Sequence, residues 1–264
     1  MGLVFQFQQR CNNIVERIIE EQKIQGSEKT TSQFSQPTLF HDVLNSNLPP
    51  EEKSPERLAQ EVQVVIGAGA ETTGKMLTWT TYYLLENPEK LNKLKAELNR
   101  LDPDQIATLI DFEKMPYLTC VMLEGLRLSY GVSSSFQRIS PDRNLQFQKW
   151  SIPAGTPVGM TSTLIHYNEQ IFPDSHEFIP ERWMDQEKRK QNPSRDIWSP
   201  SRRGLVSHNN DSLARAEILL AIPNIVRRLD LELYETTRED VTIAHDLFLP
   251  FAREGRKGVR VLVR

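Results

Sequence analysis

Cysteine is almost absent from this sequence: Cys11 and Cys120 are the only two in 264 residues, and they stand in unrelated contexts. With no CxxC pair, a disulfide framework and a structural zinc site are both excluded, and the compartment reads as reducing. Long apolar runs are missing too. The longest, such as Val64-Val65-Ile66-Gly67-Ala68-Gly69-Ala70, fall far short of the ~20 residues a spanning helix needs. Met1 to Arg10 lacks the basic start and apolar run of a secretory signal. Basic excess is lacking as well: 32 Lys and Arg against 35 Asp and Glu leave a net charge of −3, which argues against a nucleic-acid partner. These absences describe a soluble or at most peripheral chain.

What is present is an ordinary globular composition, 38% hydrophobic and 25% charged, in a length that suits one large domain or two small ones. Val4, Phe7, Ile14, Ile18 and Ile19 give residues 3–25 helical spacing, and the polar, Ser- and Thr-rich stretch 26–36 reads as a mobile loop. A short helix is expected over 39–48, closed by Pro49-Pro50. A long one follows over 55–85, with Gly67, Gly69 and Gly74 near its middle. Asn87-Pro88-Glu89 is a helix start, Asn as cap with Pro in the first turn, and that helix should run to about Leu101. Another is expected over 117–130. Extended runs broken by Pro and Gly come next, at 145–150 and 156–163. A helix returns over 213–228, interrupted near Pro223, and 258–263 reads as a strand. No internal repeat is visible. The fold class is mainly α with a small β portion.

Three short motifs carry chemistry. Ala68-Gly69-Ala70-Glu71-Thr72-Thr73 lies inside the long helix. Two nearby glycines there cost roughly 1 kcal/mol each relative to Ala, so something should approach the backbone closely, either another helix or a flat ligand. Thr72 can turn its hydroxyl toward the carbonyl of Ala68 and open the helix to water, and Glu71 would add an ionisable group beside that opening. In Glu124-Gly125-Leu126-Arg127 an acid and an arginine share a helix face, an arrangement most often exposed and weak. Pro180-Glu181-Arg182-Trp183 taken alone is a loop with an aromatic anchor.

The order and spacing of the three say more than each alone. An AGxET helix, then Met115-Pro116-Tyr117-Leu118 leading into ExxR, then PERW about 55 residues later resembles the cytochrome P450 family. Ile152-Pro153-Ala154-Gly155-Thr156 and His166-Tyr167-Asn168 strengthen the resemblance. Leu39-Phe40-His41-Asp42 and Asp246-Leu247-Phe248-Leu249-Pro250 place it nearest the fungal enzymes of specialised metabolism. It extends from about Thr38 to Arg264, so residues 1–264 are expected to form one truncated domain: 1–37 a helix plus loop, 38–264 the family-like part.

The resemblance implies a haem cofactor, a small organic substrate and an NADPH-dependent reductase as partner, in the cytoplasm or on the cytoplasmic face of the endoplasmic reticulum. It makes Ala68 and Gly69 part of the wall against the haem, Glu71 and Thr72 the residues that deliver protons, and Arg138 a partner for a haem propionate. Glu124, Arg127 and Arg182 become a structural cluster. In the family that cluster holds the fold and is not catalytic.

Two departures accompany the matches. Members of the family are roughly twice as long, and the N-terminal half that carries their membrane anchor has no counterpart here, so the apolar face of the long helix should be uncovered. The ligand loop also departs from Phe-x-x-Gly-x-Arg-x-Cys-x-Gly. Counting back from Leu213-Ala214-Arg215-Ala216-Glu217 puts Ser201 at the Phe, Gly204 at the Gly, Val206 at the Arg, His208 at the Cys and Asn210 at the last Gly. His208 is therefore either an alternative axial ligand to iron or an accidental residue in a disrupted loop.

A shift of reading frame would account for the string. Read from the third base of the Asp196 codon, suitable codons for residues 196–207 give Tyr-Leu-Val-Ser-Phe-Ser-Lys-Gly-Ser-Arg-Gln, the family's loop up to its cysteine. The expectation is a haem monooxygenase by descent, truncated and inactive as written. The alternatives are a non-catalytic remnant that binds a partner, and an active enzyme whose gene was misread.

Overall fold

The structure, a computed structural model, describes residues 2–27, 38–102, 106–184 and 208–264. The loop expected beyond Ser27 and the altered string 196–207 lie outside them. Two compact units divide the chain, Met1–Glu71 and Thr72–Arg264.

In the first unit, α1 (Gly2–Ser27) and α2 (Leu39–Asn45) pack with the start of α3 (Pro55–Glu86). Cys11, Val15, Leu58, Ala59 and Val62 form the core, with Phe40, Val43 and Leu44 around it. Gln22 Nε2 donates to Asn45 Oδ1 at 2.7 Å, which ties α1 to α2. Val64, Val65 and Ile66 of α3 are exposed.

The second unit holds the larger core. It contains the rest of α3, α4 (Pro88–Leu98), α5 (Leu109–Glu113), α6 (Pro116–Ser129), α7 (Ser162–His166) and α8 (His208–Arg228). Met76, Trp79, Leu94, Leu98, Leu118, Val121, Leu128, Leu219 and Ile222 are buried together. Each such side chain contributes about 1.5–3 kcal/mol of burial.

Helix α6 begins at Met115-Pro116, where proline occupies the first turn but no capping side chain is local. The cap comes from α4: the buried Glu97 carboxylate accepts from the backbone N–H of Tyr117 at 3.0 Å and of Leu118 at 2.8 Å. A negative charge there also suits the positive end of the helix dipole. At Gly125 a Cβ would lie 2.1 Å from Thr80 Oγ1, so the close approach of α3 and α6 depends on glycine.

The β portion consists of antiparallel pairs: β1 (Phe136–Ile139) with β4 (Pro157–Met160), β2 (Leu145–Phe147) with β3 (Trp150–Ile152), β5 (Leu231–Leu233) with β8 (Val261–Val263), and β6 (His245–Leu247) with β7 (Leu249–Phe251). The extended run expected at 145–150 is thus a hairpin, turning through Gln148 in the left-handed region (φ 53°). Residues 162 and 163, the end of an expected extended run, instead open α7, because Thr161 caps it by accepting from the Thr163 N–H. Nor is α8 interrupted. It runs through Pro223, whose missing N–H is tolerated where Ile218, Leu219 and Ile222 bury the surrounding turns. Among the described residues no helix is long and apolar enough to cross a membrane.

Candidate functional site

Three of the sequence-derived residues come together around one buried carboxylate. Glu124 accepts from Arg127 Nε (2.9 Å) and Nη2 (2.8 Å), from the Ile179 N–H (2.9 Å), from Arg182 Nε (3.0 Å) and from Trp183 Nε1 (2.7 Å). Arg127 is wholly buried, and all its donors are used. Nη1 donates to the carbonyls of His166 (2.9 Å) and Ser175 (2.6 Å), and Nη2 to that of Glu177 (3.0 Å) as well as to Glu124. Arg182 adds bonds to the carbonyls of Pro173 (2.8 Å) and Asp174 (3.3 Å). The two guanidinium forks therefore organise the irregular segment 173–179, which has few backbone partners of its own.

Around this centre lie partners that the motifs did not reveal. Lys93 Nζ donates to Glu181 Oε1 at 2.7 Å, and Tyr117 Oη to the same oxygen at 3.1 Å, joining α4 and α6 to the 3₁₀ turn Pro180–Trp183. His166 is buried between Tyr130 and Phe172. Burial first, and the Arg127 charge second, push its pKa down to about 4. Tyr130 is raised far above the usual phenol range by burial and by its hydrogen bond with Tyr167. Both shifts keep these two rings uncharged near neutrality.

The remaining candidates lie elsewhere. Ala68, Gly69 and Glu71 are exposed on α3 and Thr72 is half-buried. Among the described residues, no atom outside the glycine's immediate chain surroundings lies within 4 Å of where a Cβ would sit at Gly67, Gly69 or Gly74. Among the described residues, no helix is thus the close neighbour that those glycines lead one to expect. Arg138 is exposed on β1, in register with Val158, and takes no part in the Glu124 cluster. His208 is the first residue of α8, and its side chain lies outside the described residues. Both cysteines are buried in apolar cores, Cys11 against α3 residues and Cys120 against Phe172 and Trp183. Neither thiol is available as an external ligand.

The sequence model of the cytochrome P450 family matches residues 2–198. That match takes in α1 and stops within the altered string. A cytochrome P450 monooxygenase, MO6277, of Ascocoryne sarcoides is 44% identical over 86% of this chain and 45% of its own length. Cytochrome P450 monooxygenase tpcC of Cochliobolus heterostrophus is 38% identical over 100% of this chain and 52% of its own. The N-acetyltryptophan 6-hydroxylase ivoC of Emericella nidulans is 36% identical, covering 99% and 51%. The chain thus spans about half the length of the curated relatives it matches. Among solved structures, a retinoic acid-bound cyanobacterial CYP120A1 superposes with a TM-score of 0.73 at 20% identity, over 98% of this chain and 55% of that one. At that identity the likeness establishes the fold.

Proposed function

The chain belongs to the cytochrome P450 family, and from that premise we propose that it is the C-terminal portion of a fungal haem-dependent monooxygenase whose ligand loop is translated out of frame. Haem, when bound in such enzymes, supplies dioxygen activation, with a cysteine thiolate pushing electron density toward O–O cleavage. The observation that carries the proposal is the donor set. The sequence holds two cysteines, both buried in apolar cores, and neither is at the position matched to the family's ligand.

The resemblance assigns Ala68 and Gly69 to the wall that would face a haem, Glu71 and Thr72 to proton delivery and Arg138 to a propionate, and the donor set does not fit a haem thiolate, because His208 stands where the family's cysteine belongs. The chain as written is therefore inactive in oxygen chemistry. Its ancestral reaction was oxidation of a small organic molecule with electrons from an NADPH-dependent reductase. The end of the family match at residue 198 supports the altered frame, since the legible string begins at Asp196.

The test is the nucleotide sequence of the gene and transcript across codons 190–215. Codons that yield the family's Phe, Gly and Arg in the shifted frame support the proposal, and a spliced message restoring the cysteine would recast the chain as a misread active enzyme. Codons that cannot yield those residues in any frame would refute the shift.

A further inference from the structure

At Asn87-Pro88 the chain leaves α3 and starts α4. Asn87 fixes that corner, since its backbone N–H and its Nδ2 both donate to the Tyr83 carbonyl, at 3.1 and 2.8 Å. Helix α8 packs against α4, and a cleft of about 380 Å³, its open mouth included, runs between the two arms of the corner, α8 and the start of β5. That volume is near the lower end of the ~300–1,000 Å³ range of small-molecule sites. Little of the cleft is enclosed, so it suits a slender molecule lying along it.

The lining is almost wholly aliphatic. Helix α3 contributes Leu84 and Leu85, α4 Leu91, and α8 Ile222 and Val226. Leu84 and Ile222 are buried and make the floor, whereas Leu229, just past the end of α8, is 42% exposed at the lip. Two polar side chains reach the cleft. Thr81 spends its hydroxyl within α3, donating to the Leu77 carbonyl at 2.8 Å. Lys95 is different. Among the described residues its ammonium makes no hydrogen bond and no ion pair, although Lys90 and Lys93 of the same helix each meet a carboxylate.

No acid offsets that charge from the lining. Glu86, Asp230 and Glu232 neighbour lining residues in sequence, but none of them lines the cleft. Glu86 accepts from Tyr82 Oη at 2.7 Å, and Glu232 pairs with Arg264. An aliphatic trough with one cation beside it matches an alkyl tail that ends in one negative charge. The cleft is also separate from the candidates on α3. Thr81 is nine residues past Thr72, roughly 13 Å along the helix, and neither Glu124, Arg127 nor Arg182 lines it.

We propose that this cleft is a second binding site, which takes a free medium-chain alkyl carboxylate with its tail over Leu84, Leu91 and Ile222 and its head on Lys95. The experiment titrates decanoate and decanol, below micelle formation, into the full chain and into Lys95→Met, Lys95→Arg and Leu229→Glu. Decanoate should bind one per chain and about fivefold more tightly than decanol, the upper range for a part-exposed ion pair. Lys95→Met should remove that preference with decanol affinity unchanged, and Lys95→Arg should keep it. Leu229→Glu puts a like charge at an exposed position on the lip and should weaken decanoate roughly tenfold, with the urea midpoint unchanged. Equal affinity for decanoate and decanol in the parent overturns the proposal. So does an absence of decanoate binding, or a decanoate affinity that Lys95→Met or Leu229→Glu leaves unchanged. These readouts need no haem and do not depend on the reading frame of the ligand loop, so they stand apart from the monooxygenase proposal.

Discussion

Arg182 Nε meets Glu124 Oε1 at 3.0 Å although 58 residues separate them in the chain. The carboxylate is wholly buried and faces two guanidinium groups, so its removal strands cations as well as losing bonds. Breaking a buried pair costs about 3–5 kcal/mol. Glu124→Gln should lower stability by that order in a urea titration. Arg182→Lys should cost less but not be neutral, because a single ammonium cannot span the carboxylate and two carbonyls. A loss in Glu124→Gln within the error of the measurement would show that the cluster does not hold the fold.

Gly125→Ala places a methyl group against Thr80, whose side chain is fully buried. Overpacking of this kind costs typically 1–3 kcal/mol. The double variant with Thr80→Ala removes the obstructing oxygen, so the two losses should be less than additive. Strict additivity would show that α3 and α6 do not meet at this point.

The buried His166 gives stability a pH dependence of fixed sign. Its folded pKa of about 4 lies below the unfolded value of 6.5, so the unfolded chain binds more protons between them. The contribution is fully present above 6.5 and is lost as pH falls toward 4, on the order of 3 kcal/mol across the window. Denaturation midpoints should fall from pH 7 to pH 5 more steeply in the parent than in His166→Phe. Parallel pH profiles for the two would contradict the burial of a neutral imidazole.

Spectroscopy addresses the missing thiolate. The reduced chain with carbon monoxide should show no red-shifted band of a thiolate-ligated haem, since Cys11 and Cys120 are both buried. If His208 is accidental, His208→Ala should leave any weak haem association unchanged. The appearance of that band in the parent would overturn the placement of the ligand loop.

Much of this protein was determined by sequence alone, because local rules suffice for it. Apolar spacing gave the long helices, and Asn87-Pro88 marked the start of α4. The AGxET, ExxR and PERW motifs at their separations identified the family, and counting back from Leu213 put His208, not a cysteine, at the family's ligand position. Even the proximity of Arg182 to Glu124 was legible, though only through resemblance, since nothing in a lone ExxR distinguishes a buried pair from an exposed one.

Tertiary structure decided what depends on distant partners. Periodicity cannot say that Glu97 of α4 caps α6, that Gly125 is needed because Thr80 crosses it, or that Lys75 grips a hairpin 175 residues away. Continuity of α8 through Pro223 was likewise a matter of packing, where buried neighbours outweigh a local penalty. The physical reason is common to all four. A side chain's burial, charge environment and steric room are set by what folds against it, and those neighbours come from remote parts of the chain.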